Sequence, residues 1–329
     1  MNRVFFIVGP TATGKSELAA DVALKVDGEI VNADAFQIYS GFDILSAKPN
    51  AATQAKVRHH LVGSVSPAEE MNAAKFRSLA SAVINEIESR GKLPIVVGGS
   101  GLYLKALTHG LSETPAADAQ LRNELNQLGL DELRQRLEQL DPKAAEEIDL
   151  KNKRRVVRAL EIGLLTGRPV SEQREKWKQE ITPQRSGGFP AAEATVNRRS
   201  GDRRSLSQEL APSSRGVFVF RDRDDLYARI NRRVEEMFKD GVIQEVAKAE
   251  RVGATASKMI GFREIKENLQ GNLPINRCVS AIQQATRRYA KRQLTWFRRQ
   301  PNFESLNLSL LTYNEAVEWM VACARRAEG

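Results

Sequence analysis

The sequence has 329 residues, of which 41% are hydrophobic and 28% charged, which excludes collagen-like, coiled-coil and wholly disordered chains and predicts a folded globular protein. A formal charge of +9 favours a polyanionic partner such as nucleic acid. The two cysteines form no CxxC pair, which excludes a zinc finger, and the apolar run near the N-terminus is too short for a membrane span or signal peptide. We therefore expect a cytoplasmic protein without a membrane partner.

The first part of the chain, residues 1–112, alternates short apolar runs with helical periodicity. Strand composition is found in RVFFIVG, GEIVNAD and KLPIVVGGSG, and helical spacing in LAADVALKV and over residues 68–90. Alternation of this kind predicts a parallel sheet with helices packed on it. These residues are predicted to form the first part of the core.

The pattern changes in the second half of the chain. Residues 113–185 contain consecutive polar-rich helical patterns without a strand between them, which predicts a helical insertion. Residues 186–215 are rich in Ser, Gly, Pro and Arg, which predicts a mobile, low-complexity loop. Strand composition returns in GVFVF, and residues 216–329 are predicted to complete the core, with helices to about residue 299. The predicted fold class is α/β, a parallel-sheet core with an inserted helical subdomain.

A phosphate-binding motif stands between the first predicted strand and the next helix. Residues 9–16 read GPTATGKS and match G-x-x-x-x-G-K-[ST], so the core is predicted to be P-loop NTPase-like. Backbone amides and the helix N-terminus can bind a diphosphate or triphosphate, Lys15 adds a cation, and Ser16 can hold Mg²⁺. The motif leaves open whether phosphoryl transfer follows. The predicted phosphate-binding residues are Gly9, Pro10, Thr11, Ala12, Thr13, Gly14, Lys15 and Ser16.

Asp34 closes the second predicted strand, so its carboxylate is expected at the carboxyl edge of the sheet beside the phosphate motif. Three roles are open for it: a Mg²⁺ holder, a general base acting on an acceptor, or a helix cap. Gln37 can donate and accept hydrogen bonds at once, as reading an adenine edge requires. The GGSG turn at residues 98–101 presents a hydroxyl and backbone amides at the same edge, or is simply a turn.

A basic segment lies near the end of the chain. Residues 286–299 read TRRYAKRQLTWFRR and carry six cations without an acidic residue. Helical spacing places Tyr289 and Trp296 toward the core and the cations outward. Outward Arg and Lys side chains bind nucleic-acid phosphates without reading sequence. NKRRVVR, at residues 152–158, is a second basic cluster, and two such surfaces favour a polyanion longer than a nucleotide.

Taken together, the motifs resemble one family, the tRNA dimethylallyltransferases, or tRNA isopentenyltransferases, of bacterial type. The resemblance rests on GPTATGKS, DAFQIYSGFDILSAKP, HHLVGSVSP, GGSGLYLKAL, RRVVRALEI, DLYARINRRVEEM, MIGFREI and TRRYAKRQLTWFR, in the family's order. It implies transfer of a dimethylallyl group from dimethylallyl diphosphate to N6 of the adenosine 3′-adjacent to the anticodon of certain tRNAs. Diphosphate is released, and Mg²⁺ is the implied cofactor.

The same resemblance implies roles for individual residues. Asp34 is the implied general base, Ser100 lies beside the target nucleotide, and Arg229 stabilises charge near the diphosphate. The implied tRNA-binding residues are Asp34, Ala35, Phe36, Gln37, Ser100, Arg122, Arg154, Arg155, Val156, Val157, Arg158, Arg287, Arg288, Lys291 and Arg292. The implied partners are the tRNA anticodon stem-loop and dimethylallyl diphosphate, and we expect a monomer.

Three other functions stay open on the sequence. An adenylate isopentenyltransferase would perform the same chemistry on free AMP or ATP, but a mononucleotide acceptor needs neither the RRYAKRQ helix nor the helical insertion. A P-loop small-molecule kinase would share the phosphate motif and a catalytic Asp, and it would turn over ATP. A noncatalytic RNA-binding ATPase would explain the charge and leave GGSGLY and DxxQ without a role.

Overall fold

The computed structural model describes residues 4–110, 115, 118–172, 216–300 and 302–328. It divides into two units, which are described separately below. The first comprises Met1–Thr108 with Ser207–Gly329, and the second comprises His109–Leu206. The predicted low-complexity loop, residues 186–215, lies outside the described residues, and the domain boundaries predicted from the sequence stay predictions.

Within the described residues, six strands and thirteen α-helices are labelled in chain order. The strands are β1 (Phe5–Val8), β2 (Gly28–Asn32), β3 (His59–His60), β4 (Leu93–Gly98), β5 (Gly216–Phe220) and β6 (Glu304–Asn307). The helices are α1 (Lys15–Lys25), α2 (Ala51–Lys56), α3 (Ala73–Ser89), α4 (Gly101–His109), α5 (Ala119–Gln127), α6 (Leu130–Leu140), α7 (Pro142–Glu147), α8 (Lys153–Thr166), α9 (Arg223–Lys239), α10 (Val242–Ala247), α11 (Phe262–Leu269), α12 (Ile275–Phe297) and α13 (Tyr313–Glu328).

The six strands form one sheet in the order β3-β2-β4-β1-β5-β6, and every pairing is parallel. β1 is central: Ile7 lies opposite Val97 of β4 on one side and Val217 of β5 on the other. Because the chain leaves β1 toward one side of the sheet and later returns on the other, the carboxyl end of β1 is a switch point, where ligands bind in such sheets. The predicted parallel sheet is confirmed.

Strand side chains alternate between two buried layers, as a sheet covered on both faces requires. In β1, Phe6 and Val8 contribute to one layer and Phe5 and Ile7 to the other. The first layer includes buried side chains of α3, α4 and α12, and the second includes those of α1 and α13. Helices therefore cover both faces of the sheet and hold its strand ends in fixed positions.

Two parts of this unit were not predicted from the sequence. β3 has only two residues, too few for a strand pattern, and the β6–α13 segment after residue 299 received no assignment. The prediction of helices from β5 to about residue 299 is correct for α9 to α12. A loop that contains a 3₁₀ turn, Ala256–Lys258, separates α10 from α11. Gly261 directly precedes α11 and caps its N-terminus, with φ +98°, a conformation that favours glycine.

The second unit contains α5 to α8, consecutive helices as predicted, while residues 173–185 of the predicted insertion lie outside the described residues and its boundaries stay predictions. These helices share a core of their own around Leu125, Leu133, Leu137 and Leu160. In the part of the chain that the structure describes, no helix combines the length and the apolar character that crossing a bilayer demands.

Candidate active site

The phosphate loop, residues 9–16, connects β1 to α1 at the switch point of the sheet. Gly9 donates a backbone hydrogen bond to the Gly98 carbonyl at 3.2 Å, and a Cβ at Gly9 would lie 2.2 Å from the Val219 carbonyl oxygen. Gly14 has φ +89°, in the left-handed region that glycine tolerates. Both motif glycines are therefore required by the backbone itself.

Side chains of the protein hold the phosphate loop from several sides. The Thr13 hydroxyl and the Lys15 ammonium donate to the Pro10 carbonyl at 3.0 and 3.2 Å. From beyond β5, Arg221 donates to the Thr13 carbonyl and Arg229 to the Ala12 carbonyl, each through Nε at 2.9 Å. Protein donors thus satisfy three of the loop's carbonyl oxygens and help to fix its shape.

Cations concentrate around the loop. Burial lowers the pKa of Lys15 to about 8, with Arg233 adding to the shift and Asp34 opposing it. Burial, followed by Arg221, lowers the pKa of Arg229, and burial likewise lowers that of Arg233. The Arg233 Nε is buried and has no hydrogen-bond partner among the described residues. The lowered pKa values show that these cations have lost much of their hydration. An anion bound beside them is therefore attracted more strongly than it would be in water.

Asp34 lies just beyond the end of β2, at the same edge of the sheet. Its Oδ1 accepts hydrogen bonds from the Phe36 and Gln37 amides at 2.9 and 3.4 Å, and no hydrogen bond to Oδ2 occurs within the described ranges. One oxygen thus fixes the carboxylate in a turn while the other keeps its capacity to accept a proton. The Gln37 Nε2 donates to the Ala47 carbonyl at 2.8 Å, so its Oε1 is the atom left to meet a ligand.

The serine turn, residues 98–101, adjoins the Asp34 turn. The Ser100 hydroxyl accepts a hydrogen bond from the Ala35 amide at 2.9 Å, and the Ser100 side chain lies near the Tyr289 phenol, where it partly offsets the rise in the pKa of Tyr289. Burial, followed by Asp34, raises the pKa of Tyr289, which keeps its phenol protonated. The structure therefore brings Asp34 and Ser100 together as the sequence predicted, and adds Tyr289, which the sequence assigned only to the core.

Four residues near the site were not assigned to it from the sequence: Arg221, Arg233, Tyr289 and Gln293. Arg233 follows Arg229 by one helical turn, and this spacing could have predicted from the sequence that Arg233 lies near the site. Gln293 interrupts a run of cations, and its burial among them is visible only in the structure.

The outer face of α12 carries the cations predicted to contact tRNA. Arg288, Lys291 and Arg292 are exposed, while Arg287 is half-buried and donates to the Asn231 side chain at 2.5 Å. Three of the four predicted cations on this helix are therefore presented to solvent, where a phosphate backbone can meet them.

The predicted tRNA-binding residues of the second unit fall into two groups. Arg154 and Arg155 are exposed on α8, whereas Val156 and Val157 are buried, so the side chains of these valines pack in the core and are not at the surface. Arg122 and Arg158 each form an ion pair with the fully buried carboxylate of Glu161, at 2.5 and 2.6 Å, so these two predicted RNA-binding cations already have an acidic partner.

The sequence from the Asp34 turn to α12 matches one family model, described as IPP transferase, over residues 37–300. The chain belongs to this family. A tRNA dimethylallyltransferase of Geobacter sulfurreducens is 39% identical over 322 residues, which cover 93% of this chain and 94% of that relative. The resemblance stated from the sequence motifs is thereby confirmed.

Solved structures support the same family assignment. A full-length tRNA isopentenylpyrophosphate transferase from Bacillus halodurans superposes with a TM-score of 0.67 at 33% identity, over 100% of this chain and 97% of that one. A eukaryotic dimethylallyltransferase acting on tRNA gives a TM-score of 0.70 at 24% identity, over 93% of this chain and 74% of that one, and shows a shared fold. The predicted P-loop NTPase-like fold of the IPP transferase family is confirmed.

Proposed function

We propose that this chain transfers a dimethylallyl group from dimethylallyl diphosphate to N6 of the adenosine 3′-adjacent to the anticodon of certain tRNAs. Membership of the IPP transferase family supports tRNA prenylation. The observation that carries the proposed chemistry is the placement of the phosphate loop, Asp34 and Ser100 at one edge of the sheet. A leaving-group site and a site for the acceptor nucleotide are thus adjacent.

The phosphate loop would bind the diphosphate, and Lys15, Arg229 and Arg233 would neutralise it. As the allylic C1–O bond breaks, its electron pair remains on the diphosphate oxygen, and fixed cations stabilise this developing charge. Arg233 suits the role because its buried Nε has no hydrogen-bond partner in the described part of the chain. The Thr11 amide already donates a hydrogen bond to the Gln293 side chain. Unlike the other predicted residues of the loop, Thr11 would therefore use its amide to shape the site and not to bind the anion.

Asp34 would act as the general base. The lone pair of adenine N6 forms the new bond to C1, and a proton passes from N6 to the carboxylate. The oxygen Oδ2 would take this proton, since Oδ1 is held by two backbone amides. Ser100 and Gln37 would contact the same nucleotide, and Ala35 and Phe36 lie between Asp34 and Gln37 in the sequence.

Mg²⁺ would bind at Ser16, the half-buried first-turn hydroxyl of α1. The described residues contain no group of three His, Cys, Asp or Glu side chains able to hold a metal ion. A single hydroxyl with diphosphate and water oxygens is a donor set that Mg²⁺ accepts. When bound, the ion would neutralise charge on the diphosphate.

The acceptor is proposed to be tRNA and not free AMP because α12 exposes Arg288, Lys291 and Arg292 outside the nucleotide site. A mononucleotide has no phosphate backbone that extends from the nucleotide site to these cations. Arg154 and Arg155 of the second unit offer further contacts to the anticodon stem-loop. We propose that the protein is a cytoplasmic monomer. Analytical ultracentrifugation would measure its mass in solution.

Nucleoside mass spectrometry tests the proposed function. Purified full-length protein is incubated with Mg²⁺, dimethylallyl diphosphate and unmodified tRNA, with AMP as a parallel acceptor. Prenylated adenosine from tRNA alone is the expected result. Product from AMP instead would favour the adenylate enzyme, and consumption of ATP without prenylated product would favour a kinase or ATPase.

A further inference from the structure

Gln293, on the inner face of α12, joins the phosphate loop to the serine turn. Its Oε1 accepts a hydrogen bond from the Thr11 amide at 3.0 Å, and its Nε2 donates to the Gly99 carbonyl at 2.9 Å. The side chain is buried, with 5% of the residue exposed. A primary amide offers a donor and an acceptor on one rigid plane, so Gln293 fixes both turns relative to each other.

The space around this amide leaves little freedom for movement. A Cβ on Gly99 would lie 2.3 Å from the Gln293 Nε2 and 2.8 Å from the Gly9 carbonyl oxygen. Gly9 in turn donates to the Gly98 carbonyl. The two turns and the glutamine amide are therefore in direct contact, and displacement of one of them must displace the others.

The same helix touches the serine turn at two other positions. Tyr289, one turn before Gln293, lies near the Ser100 side chain, which affects the pKa of its phenol. Trp296, almost one turn after it, packs so closely on Gly101 that a Cβ there would lie 2.7 Å from the indole ring. The inner face of α12 thus contacts both turns over two helical turns, while its outer face carries the exposed cations Arg288, Lys291 and Arg292.

We propose that Gln293 is a positioning residue that aligns the diphosphate with the acceptor nucleotide and couples RNA binding on α12 to occupancy of the phosphate loop. This inference rests on the proposed function. Gln293 touches neither substrate in this role. It acts through Thr11, which belongs to the loop that holds the leaving group, and through Gly99, which precedes Ser100 at the nucleotide site. A displacement of the reactants by about 1 Å can lower the rate about 100-fold, so loss of the alignment that Gln293 provides should lower kcat strongly.

The test compares Q293L, which removes both hydrogen bonds at similar volume, with Q293E, which can accept from Thr11 but, when ionised, cannot donate to Gly99. Q283L is the matched control, since Gln283 is a half-buried glutamine of α12 that donates to the Asn231 carbonyl of α9 instead. We expect kcat to fall about 100-fold in Q293L and at least about tenfold in Q293E, and neither KM to rise by more than about tenfold, so that most of the loss is in kcat. Q283L should keep wild-type kcat.

Binding of inorganic pyrophosphate tests the coupling without turnover. In wild-type protein, an anticodon stem-loop should strengthen pyrophosphate binding about tenfold, and in Q293L this effect should disappear although each ligand still binds alone. Thermal unfolding of each variant shows whether the chain stays folded.

Several results would overturn the inference. One is a kcat of Q293L equal to that of the wild type, and another is an equal loss of kcat in Q293L and Q283L. A third is a wild-type affinity for pyrophosphate that does not change when the stem-loop is added. A wild-type protein that transfers no prenyl group to tRNA would overturn the proposed function itself, which is a separate outcome.

Discussion

Arg229 donates a hydrogen bond from Nε to the backbone carbonyl of Ala12 at 2.9 Å, and thereby ties α9 to the phosphate loop. Ala12 has φ 65°, an uncommon conformation for a residue with a side chain. The Arg229 guanidinium also approaches Gly14, where a Cβ would lie 3.3 Å from its terminal nitrogen. One side chain therefore both shapes the loop and supplies charge beside it.

Substitution of Arg229 separates these two contributions. R229K keeps the charge and loses the planar contact to Ala12, and R229Q loses the charge. We expect kcat/KM for dimethylallyl diphosphate to fall about tenfold in R229K and about 100-fold in R229Q. Steady-state kinetics with tRNA in excess measures both. R232Q, at an exposed arginine of the same helix, is the control and should stay within about twofold of wild type. Equal losses in R229K and R229Q would show that charge is not what matters.

Asp34 can be neutralised without disturbing its turn. In D34N the amide oxygen can still accept from the Phe36 and Gln37 backbone amides, but the group no longer accepts a proton at neutral pH. We expect kcat to fall about 1,000-fold, since general bases contribute about 10²- to 10⁴-fold, with tRNA affinity within about twofold of wild type. Single-turnover rates and stem-loop binding measure the two quantities. D43N, at an exposed aspartate, is the control. Weakened tRNA binding with intact chemistry would exclude the base role.

The parts of the site that the sequence predicted are those encoded by local pattern. The phosphate loop follows from its own eight residues between a strand and a helix, and Asp34 follows from its place after β2. In a parallel sheet, both must reach the same edge, so their proximity needed no knowledge of side-chain packing.

The parts that were missed depend on contacts distant in sequence. Gln293 bonds to residues 282 and 194 positions away, and no local pattern distinguishes it from an exposed glutamine on a basic helix. Val156 and Val157 were taken into the RNA-binding run by the resemblance, although an apolar pair beside arginines also fits the buried stripe of a helix, as the structure has it. Strand β6 lacks a strong apolar pattern because it lies at the edge of the sheet.

The exposed cations of α12 should give tRNA binding part of its salt dependence. We expect combined alanine substitution of Arg288, Lys291 and Arg292 to reduce the slope of log K against log salt by about 2 to 3, because each phosphate contact contributes about 0.7 to 0.9. Stem-loop titrations at several salt concentrations measure the slope. Arg325, on α13 over the opposite face of the sheet, provides the control R325A, which should leave the slope unchanged. An unchanged slope in the triple variant would place the RNA elsewhere.

Glu161 should stabilise the helical unit in a pH-dependent way. Its carboxylate is fully buried and accepts hydrogen bonds from Arg122, Arg158 and the Asp118 amide. Burial alone would raise the pKa of Glu161, but the hydrogen bonds from Arg122 and Arg158 outweigh burial and lower it below the ordinary value of 4.5. The charged form is therefore favoured in the folded state, and its contribution is complete above about pH 4.5 and is lost as pH falls through the lowered folded-state pKa.

The substitution E161Q removes this charge while keeping the shape of the side chain. We expect it to reduce the stability of α5 and α8 by about 2 kcal/mol at pH 7, less than for a wholly buried ion pair because both arginines are partly exposed. Hydrogen exchange of the full-length chain measures this locally. The difference between wild type and E161Q should shrink as the pH is lowered below about 4.5, whereas E146Q, at an exposed carboxyl of α7, should match wild type throughout. A difference that stays constant down to the acid limit would mean that Glu161 acts through its shape and not its charge.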